Sequence, residues 1–161
     1  MRHHWLRFLA LFLPALGADL ATKSWALHAL EPGRTLEPIG PLLPLTLSFN
    51  RGAAFSLHFG DHSRLAFILF SIIAMLGLLI YYHRTPASAR LRAIVLPLIA
   101  AGALGNLIDR IRWDLGVVDF LGPYDLGFMQ WPIFNVADIC ISCGAILLSI
   151  ALWLEERRAT I

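Results

Sequence analysis

Four apolar runs, each long enough to cross the hydrocarbon core of a bilayer, constrain this chain more than any other feature. They are Trp5 to Leu27, Leu65 to Tyr82, Leu91 to Ile108 and Val136 to Leu154. A spanning helix takes about 20 predominantly apolar residues. In hydrocarbon, every backbone polar group must find its partner within the segment, so such runs form helices. The chain has 161 residues, 58% of them hydrophobic and 15% charged, whereas a soluble domain is about 25% charged. The expected fold class is an all-α integral membrane protein of four transmembrane helices, one domain over 1–161. Arg2 and Arg7 precede the first run, and Ala15-Leu16-Gly17 is a passable small-residue cleavage site for a secretory signal. The run continues past Gly17 towards Trp25 and three more follow, so a retained helix is expected instead.

Basic residues orient the helices. Arg2 and Arg7 lie before the first, Arg84, Arg90 and Arg92 in the link between the second and third, and Arg157 and Arg158 after the fourth. These clusters fall on one side, which the positive-inside rule makes the cytoplasm. Both termini are then cytoplasmic in a multi-pass membrane protein. The net charge of +2 needs no nucleic acid to explain it. Residues 28–64 and 109–135 face outwards. Leu42 to Phe59 is apolar, is broken by Pro44 and Gly52, and holds the β-formers Leu45-Thr46-Leu47-Ser48-Phe49. It predicts a small extracytoplasmic β-cradle over about 36–60, lying on the membrane face. The other outer segment, expected as a loop or short helix, carries Trp113, Tyr124, Phe128, Met129 and Trp131, which suit the headgroup level. The Pro97-containing third run is tolerated in a membrane helix, and its Gly102-Ala103 and Gly105 would let another helix approach closely.

Four aspartates lie in or beside these apolar stretches: Asp19, Asp109, Asp119 and Asp138. A carboxylate at membrane depth costs roughly 2.5–3.5 kcal/mol on insertion scales, so its presence points to a function or a partner. Asp19 sits four residues before Lys23, on the same helix face, and Asp109 is followed directly by Arg110. Asp119 and Asp138 have no cation within a helical turn in sequence, and the topology puts both on the outer side at similar depth. Two carboxylates that meet in a low dielectric share one proton, and the pair can act as general base and general acid. Such a pair activates water against a peptide carbonyl without a nucleophilic side chain or a metal. The competing reading is that each caps a helix or bonds a loop amide. Asp109 is the rival for the second place in the pair, but Asn106, Asp109 and Arg110 share a helix face. An adjacent Arg opposes proton sharing, so Asp109 with Arg110 is read as an orienting element. Asp19 with Lys23 is read the same way, although Lys23 could also meet an anionic lipid or a substrate carbonyl. Asn50 and Gly52 form a turn that could hold an extended peptide, or an ordinary β-turn.

Cys140 and Cys143 form a Cys-x-x-Cys inside the fourth apolar run, where packing is a better account than redox chemistry, since redox pairs sit at exposed helix starts. The two cysteines make no disulfide framework. His58 and His62 are four apart with only Asp61 nearby, so no zinc site is expected. No phosphate loop and no Gly-x-Ser-x-Gly elbow is present.

Five blocks in order, Asp19-Leu-Ala-Thr-Lys23, Asn50-Arg-Gly-Ala-Ala-Phe55, Gly102-Ala-Leu-Gly-Asn-Leu-Ile-Asp-Arg110, Val117-Val-Asp-Phe120 and Phe134-Asn-Val-Ala-Asp138, resemble those of the lipoprotein signal peptidases (signal peptidase II). The resemblance covers nearly the whole chain. It implies an aspartic endopeptidase that removes the signal peptide from diacylglyceryl-modified prolipoproteins, cutting just before the lipidated cysteine. It implies catalysis by Asp119 and Asp138. Asp19, Lys23, Asn50, Gly52, Gly105, Asn106, Asp109, Arg110, Asn135 and Ala137 would shape the site and hold substrate. It also implies a monomer with no cofactor or metal, whose partners are prolipoprotein substrates and membrane lipid. Arg51 stands where an uncharged residue is more usual in the family, and Asp114 is expected to be solvated.

Two other classes compete. Intramembrane Asp, Lys and Arg also mark ion pathways in carriers. Against that, there is no internal repeat, and the polar residues gather near the outer face. A membrane thiol–disulfide enzyme would instead depend on Cys140 and Cys143.

Overall fold

In the computed structural model of the chain, which describes residues 2–52, 63–86 and 88–159, each of the four apolar runs is one helix. They are α1 (Arg2–Ala29), α2 (Ser63–Arg84), α3 (Arg90–Arg112) and α4 (Val136–Ala159). The shortest membrane-crossing stretch among them has 21 residues, enough at about 1.5 Å per residue for the roughly 30 Å core. The helices run a few residues past the apolar runs, because their backbone groups stay bonded internally through the interfacial layer. Pro14 and Pro97 sit inside α1 and α3.

α3 is the centre of the bundle and packs against each of the other three helices. Its apolar stretch is 56% buried against protein, while those of α1, α2 and α4 are 11%, 11% and 17% buried and turn most of their surface outwards. Small residues bring the backbones close, as expected. A Cβ at Gly102 would strike the Ala137 carbonyl and lie 2.9 Å from Ile141 Cγ1, and one at Gly105 would strike the Asp19 carboxylate.

The outer segments build a small sheet from β1 (Thr35–Leu36), β3 (Leu45–Asn50) and β4 (Val117–Leu121), with β2 (Pro38–Pro41) lying between β1 and β3 in sequence. The three-stranded antiparallel part has the order β1-β3-β4. Asn50 pairs with Val117, Phe49 with Val118 and Ser48 with Asp119, with a register shift before Leu45 meets Leu121. The sheet thus joins the two outer segments. Its inner face, Leu45, Leu47, Val118 and Phe120, packs with Ala26 and Leu30 at the end of α1. A second apolar cluster of Phe8, Tyr82, Leu96 and Ala100 closes the opposite end of the bundle. The expected cradle holds from residue 35 to residue 50, and its remainder beyond Gly52, with Phe55, His58 and His62, lies outside the described residues. The second outer segment is a loop carrying β4 and a hairpin of β5 (Tyr124–Asp125) and β6 (Gln130–Trp131).

Candidate active site

The start of α4 organises the site. Asn135 precedes the helix, and its Oδ1 accepts the Asp138 N–H at 2.9 Å, while Asp138 Oδ2 accepts the Asn135 N–H at 3.2 Å. This reciprocal pair satisfies orphan amides of the first turn, in the manner of a capping box, and sets the Asp138 side chain at the helix end. The Asn135 amide still has donors to give. Its Nδ2 lies 2.6 Å from Asp119 Oδ1, 3.2 Å from Asn106 Oδ1 and 3.3 Å from the Val118 carbonyl. One fully buried asparagine therefore links the two carboxylates that had no cation near them in sequence.

Asp119 arrives from β4, a strand whose first four residues are all buried. The register opposite Ser48 turns its carboxyl into the site at 2% exposure. Burial and the neighbouring Asp138 charge push it up to about 7, against the opposing pull of hydrogen bonds from Asn135 and Asn50. Asp138 is half-buried, and its Oδ1 accepts Asn106 Nδ2 at 2.8 Å. Arg110 is close enough for its charge to interact with both carboxylates. The pair thus sets a carboxyl that keeps its proton up to about neutral pH, Asp119, beside a second aspartate.

Behind the pair lies a buried polar layer. Lys23 Nζ is 2.9 Å from Asp19 Oδ2 and 3.0 Å from Asp109 Oδ2, and it donates to Asn106 Oδ1 at 2.9 Å. Asp19 Oδ1 accepts the Ala137 N–H at 2.8 Å, and Asp109 Oδ2 accepts the Val118 N–H at 3.1 Å. Gly105 leaves the space that the Asp19 carboxylate fills. Two expectations are corrected here. Asp109 takes Lys23, not Arg110, as its cation, because successive helix residues point about 100° apart. Lys23 is 3% exposed with all its neighbours inside the protein, so it does not reach a lipid.

Arg110 turns the other way. Its Nη2 donates to the Gly52 carbonyl at 3.1 Å, its Nη1 to the Asn106 carbonyl at 3.2 Å, and its guanidinium lies 5.4 Å from the centre of the Phe67 ring. Asn50 Oδ1 accepts the Gly52 N–H at 3.0 Å, which makes the expected turn after β3 and presents the Gly52 carbonyl to Arg110. Gly116, at φ +100°, allows this crossing, since a side chain there would strike the Asn50 carbonyl. Arg51 is exposed at the same turn.

Sequence reasoning missed Arg64 and Phe67. Arg64 Nε donates to the Arg110 carbonyl at 2.7 Å and its Nη2 to the Ile111 carbonyl at 3.0 Å, so it caps α3 from the start of α2. It also pairs with Asp114, which is exposed as expected but not simply solvated. The only available signal was a basic residue at an outer helix start, which orientation statistics do not explain. Cys140 is half-buried, while Cys143 is exposed on the outward face of α4, so helix packing accounts for the first and not the second. Both are free thiols. Among the described residues no three His, Cys, Asp or Glu side chains converge as metal ligands.

Residues 11–154 match the family described as signal peptidase (SPase) II. A lipoprotein signal peptidase of Syntrophomonas wolfei subsp. wolfei is 41% identical over 153 residues, covering 95% of this chain and 97% of its own. One from Geobacter sulfurreducens is 40% identical over 153 residues, covering 94% of each. A bacterial membrane enzyme solved in meso at 2.3 Å resolution superposes with a TM-score of 0.83 at 29% identity, over 92% of this chain and 88% of that one. A second, at 1.9 Å, gives 0.79 at 30% identity over 90% and 91%. With four apolar membrane-length helices and these relatives over nearly its whole length, the chain belongs to the signal peptidase II family, multi-pass bacterial membrane peptidases that remove signal peptides from prolipoproteins.

Proposed function

We propose that the chain is an aspartic endopeptidase in which Asp119 and Asp138 activate water, cutting diacylglyceryl-modified prolipoproteins just before the lipidated cysteine. The observation that carries this reading is the Asn135 side chain. It bonds Asp119 and caps α4 together with Asp138, so two carboxylates with no ion-pair partner among the described residues are held at one point.

Their surroundings assign the roles. Asp138 accepts N–H groups from Asn106 and Asn135 and lies at a helix N-terminus beside Arg110, which suits it to the role of general base. Asp119, more deeply buried, holds the proton. Asp138 takes a proton from water as its oxygen attacks the scissile carbonyl carbon, and Asp119 gives its proton to the carbonyl oxygen. In the second step Asp138 returns its proton to the amide nitrogen and the C–N bond breaks. Asp119 recovers its proton as the carboxyl product forms. Residues at the turn, Asn50 and Gly52, and the Arg110 guanidinium line the approach of an extended peptide. The outward faces of the lipid-exposed helices leave the acyl chains in the bilayer, so lipid selects substrate along with sequence.

The protein works as a monomer in the bacterial cytoplasmic membrane, with both termini in the cytoplasm and the site near the outer face. The arginine clusters at the opposite ends of the helices support that orientation. The test is cleavage by the purified protein in detergent, using a diacylglyceryl-modified prolipoprotein beside its unlipidated twin. Cleavage of the lipidated form alone, lost in Asp119→Asn and in Asp138→Asn while both variants stay folded, is expected. Turnover in either variant would refute the dyad. Turnover surviving Asp119→Asn but lost in Asp109→Asn would make Asp109 the partner of Asp138.

A further inference from the structure

No step of that hydrolysis uses Lys23, yet this ammonium is the most enclosed cation in the described part of the site. It has three protons, and it has three oxygen neighbours: Asp19 Oδ2, Asp109 Oδ2 and Asn106 Oδ1. At 3% side-chain exposure, little of it is open to substrate. Neutralising a buried lysine takes carboxylates alone, so the bond to an amide oxygen has a separate consequence. Asn106 Oδ1 accepts from Lys23 Nζ at 2.9 Å and from Asn135 Nδ2 at 3.2 Å. With two donors on that side, the amide has one workable orientation, and its Nδ2 faces Asp138 Oδ1 at 2.8 Å. Turned over, it would set an NH₂ group against an ammonium and a carbonyl oxygen against a carboxylate. The two aspartates around Lys23 also reach forward. Asp19 holds the Ala137 N–H, one residue before Asp138, and Asp109 holds the Val118 N–H, one residue before Asp119.

We propose that Lys23 is a positioning residue for the hydrolysis: it locks the Asn106 amide with its NH₂ towards Asp138, and through Asp19 and Asp109 it ties down the backbone just before each dyad carboxylate. The proposal rests on the Asp119–Asp138 reading. Its effect is to hold the Asn106 donor on Asp138 Oδ1. Among the described residues, the charged groups facing Asp138 are Asp119 from β4 and Arg110 from α3. Lys23 acts on it through Asn106 and Asp19 through Ala137, whereas Asp109 acts on Asp119 through Val118.

Lys23→Met alone would leave two buried carboxylates without a cation. The informative variant is Lys23→Met/Asp19→Asn. It keeps one net negative charge in the cluster, as two carboxylates and one ammonium do, and the new side-chain amide oxygen at position 19 can still accept the Ala137 N–H. The expected result is a folded protein with KM within about twofold of wild type and kcat about a hundredfold lower, the usual scale for a misplaced catalytic group. The acid limb of its pH–rate profile, which belongs to the pair, should move up by about one pH unit, because the dyad loses one hydrogen-bond donor. A folded variant with wild-type kcat and an unmoved acid limb would overturn the proposal. Asn106→Leu, which leaves Lys23 its two carboxylates, should show the same loss and the same shift, and combining the changes should add little. If the double variant does not fold, Asn106→Leu decides alone, and a wild-type acid limb in it refutes the role. Asp119→Asn run alongside separates the two ideas. Activity in that variant removes the dyad and this proposal together, whereas a dead Asp119→Asn beside wild-type-like Lys23 and Asn106 variants removes only this one.

Discussion

Gly105→Ala tests whether the polar layer behind the dyad is packed without slack. The new Cβ would collide with Asp19 Oδ2, lie 3.1 Å from Asp19 Cγ and sit at an ordinary 3.5 Å from Ala137 Cβ. Relief must come from the carboxylate. That group is 1% exposed, pairs with Lys23 at 2.9 Å and holds the Ala137 N–H at 2.8 Å. Overpacking of this kind costs about 1–3 kcal/mol, and weakening a hydrogen bond to a charged group costs roughly 1.5–3 kcal/mol more. Alanine returns about 1 kcal/mol of helix propensity. The net loss is about 1.5–5 kcal/mol, which for a chain of this size lowers Tm by about 3–20 °C. The assay is thermal unfolding of the purified protein in detergent, followed by tryptophan fluorescence, with Gly17→Ala as control. A Cβ at Gly17 meets nothing within 4 Å, so that variant should match or exceed wild type. Cleavage by Gly105→Ala should also fall, since Ala137 adjoins Asp138. Equal Tm values for the two variants would refute the packing argument.

Asp119 gives a pH-dependent signature. Its carboxyl is held up at about 7 against an ordinary 3.8, so its favourable contribution to folding is complete below the lower value and is lost as pH rises through the higher one. Asp119→Asn should therefore melt above wild type at about pH 8, with the advantage shrinking towards about pH 4. A Tm difference that does not change across that range would count against a raised carboxyl. Cys140→Ser/Cys143→Ser should cleave within about twofold of wild type, as substitutions away from a packed site usually cost little. Loss of activity there would revive the thiol–disulfide reading.

The parts of the site legible in the sequence were those governed by local rules. Asp119 and Asp138 stood out because no cation lies within a turn of either, and Gly102 and Gly105 because small residues on a membrane helix invite a neighbour. The cap formed by Asn135 and Asp138 is also local, although its bridge to Asp119 is not. The pairing of Asp109 was misread, since sequence adjacency to Arg110 says nothing about which helix face each side chain takes. Arg64 went unnoticed because its partners, the last carbonyls of α3, lie more than forty residues away in sequence.

By itself, then, the sequence determined four membrane helices, a strand-forming outer segment and two isolated carboxylates. Hydrocarbon thickness and the cost of burying charge act on each segment separately. Only the tertiary structure decided that Lys23 serves both Asp19 and Asp109, that Asn106 presents its NH₂ to Asp138, and that the β3–β4 register delivers Asp119 to Asn135. Those choices depend on the close approach of α1, α3 and α4, where a buried polar atom is satisfied by whatever group the packing brings within reach.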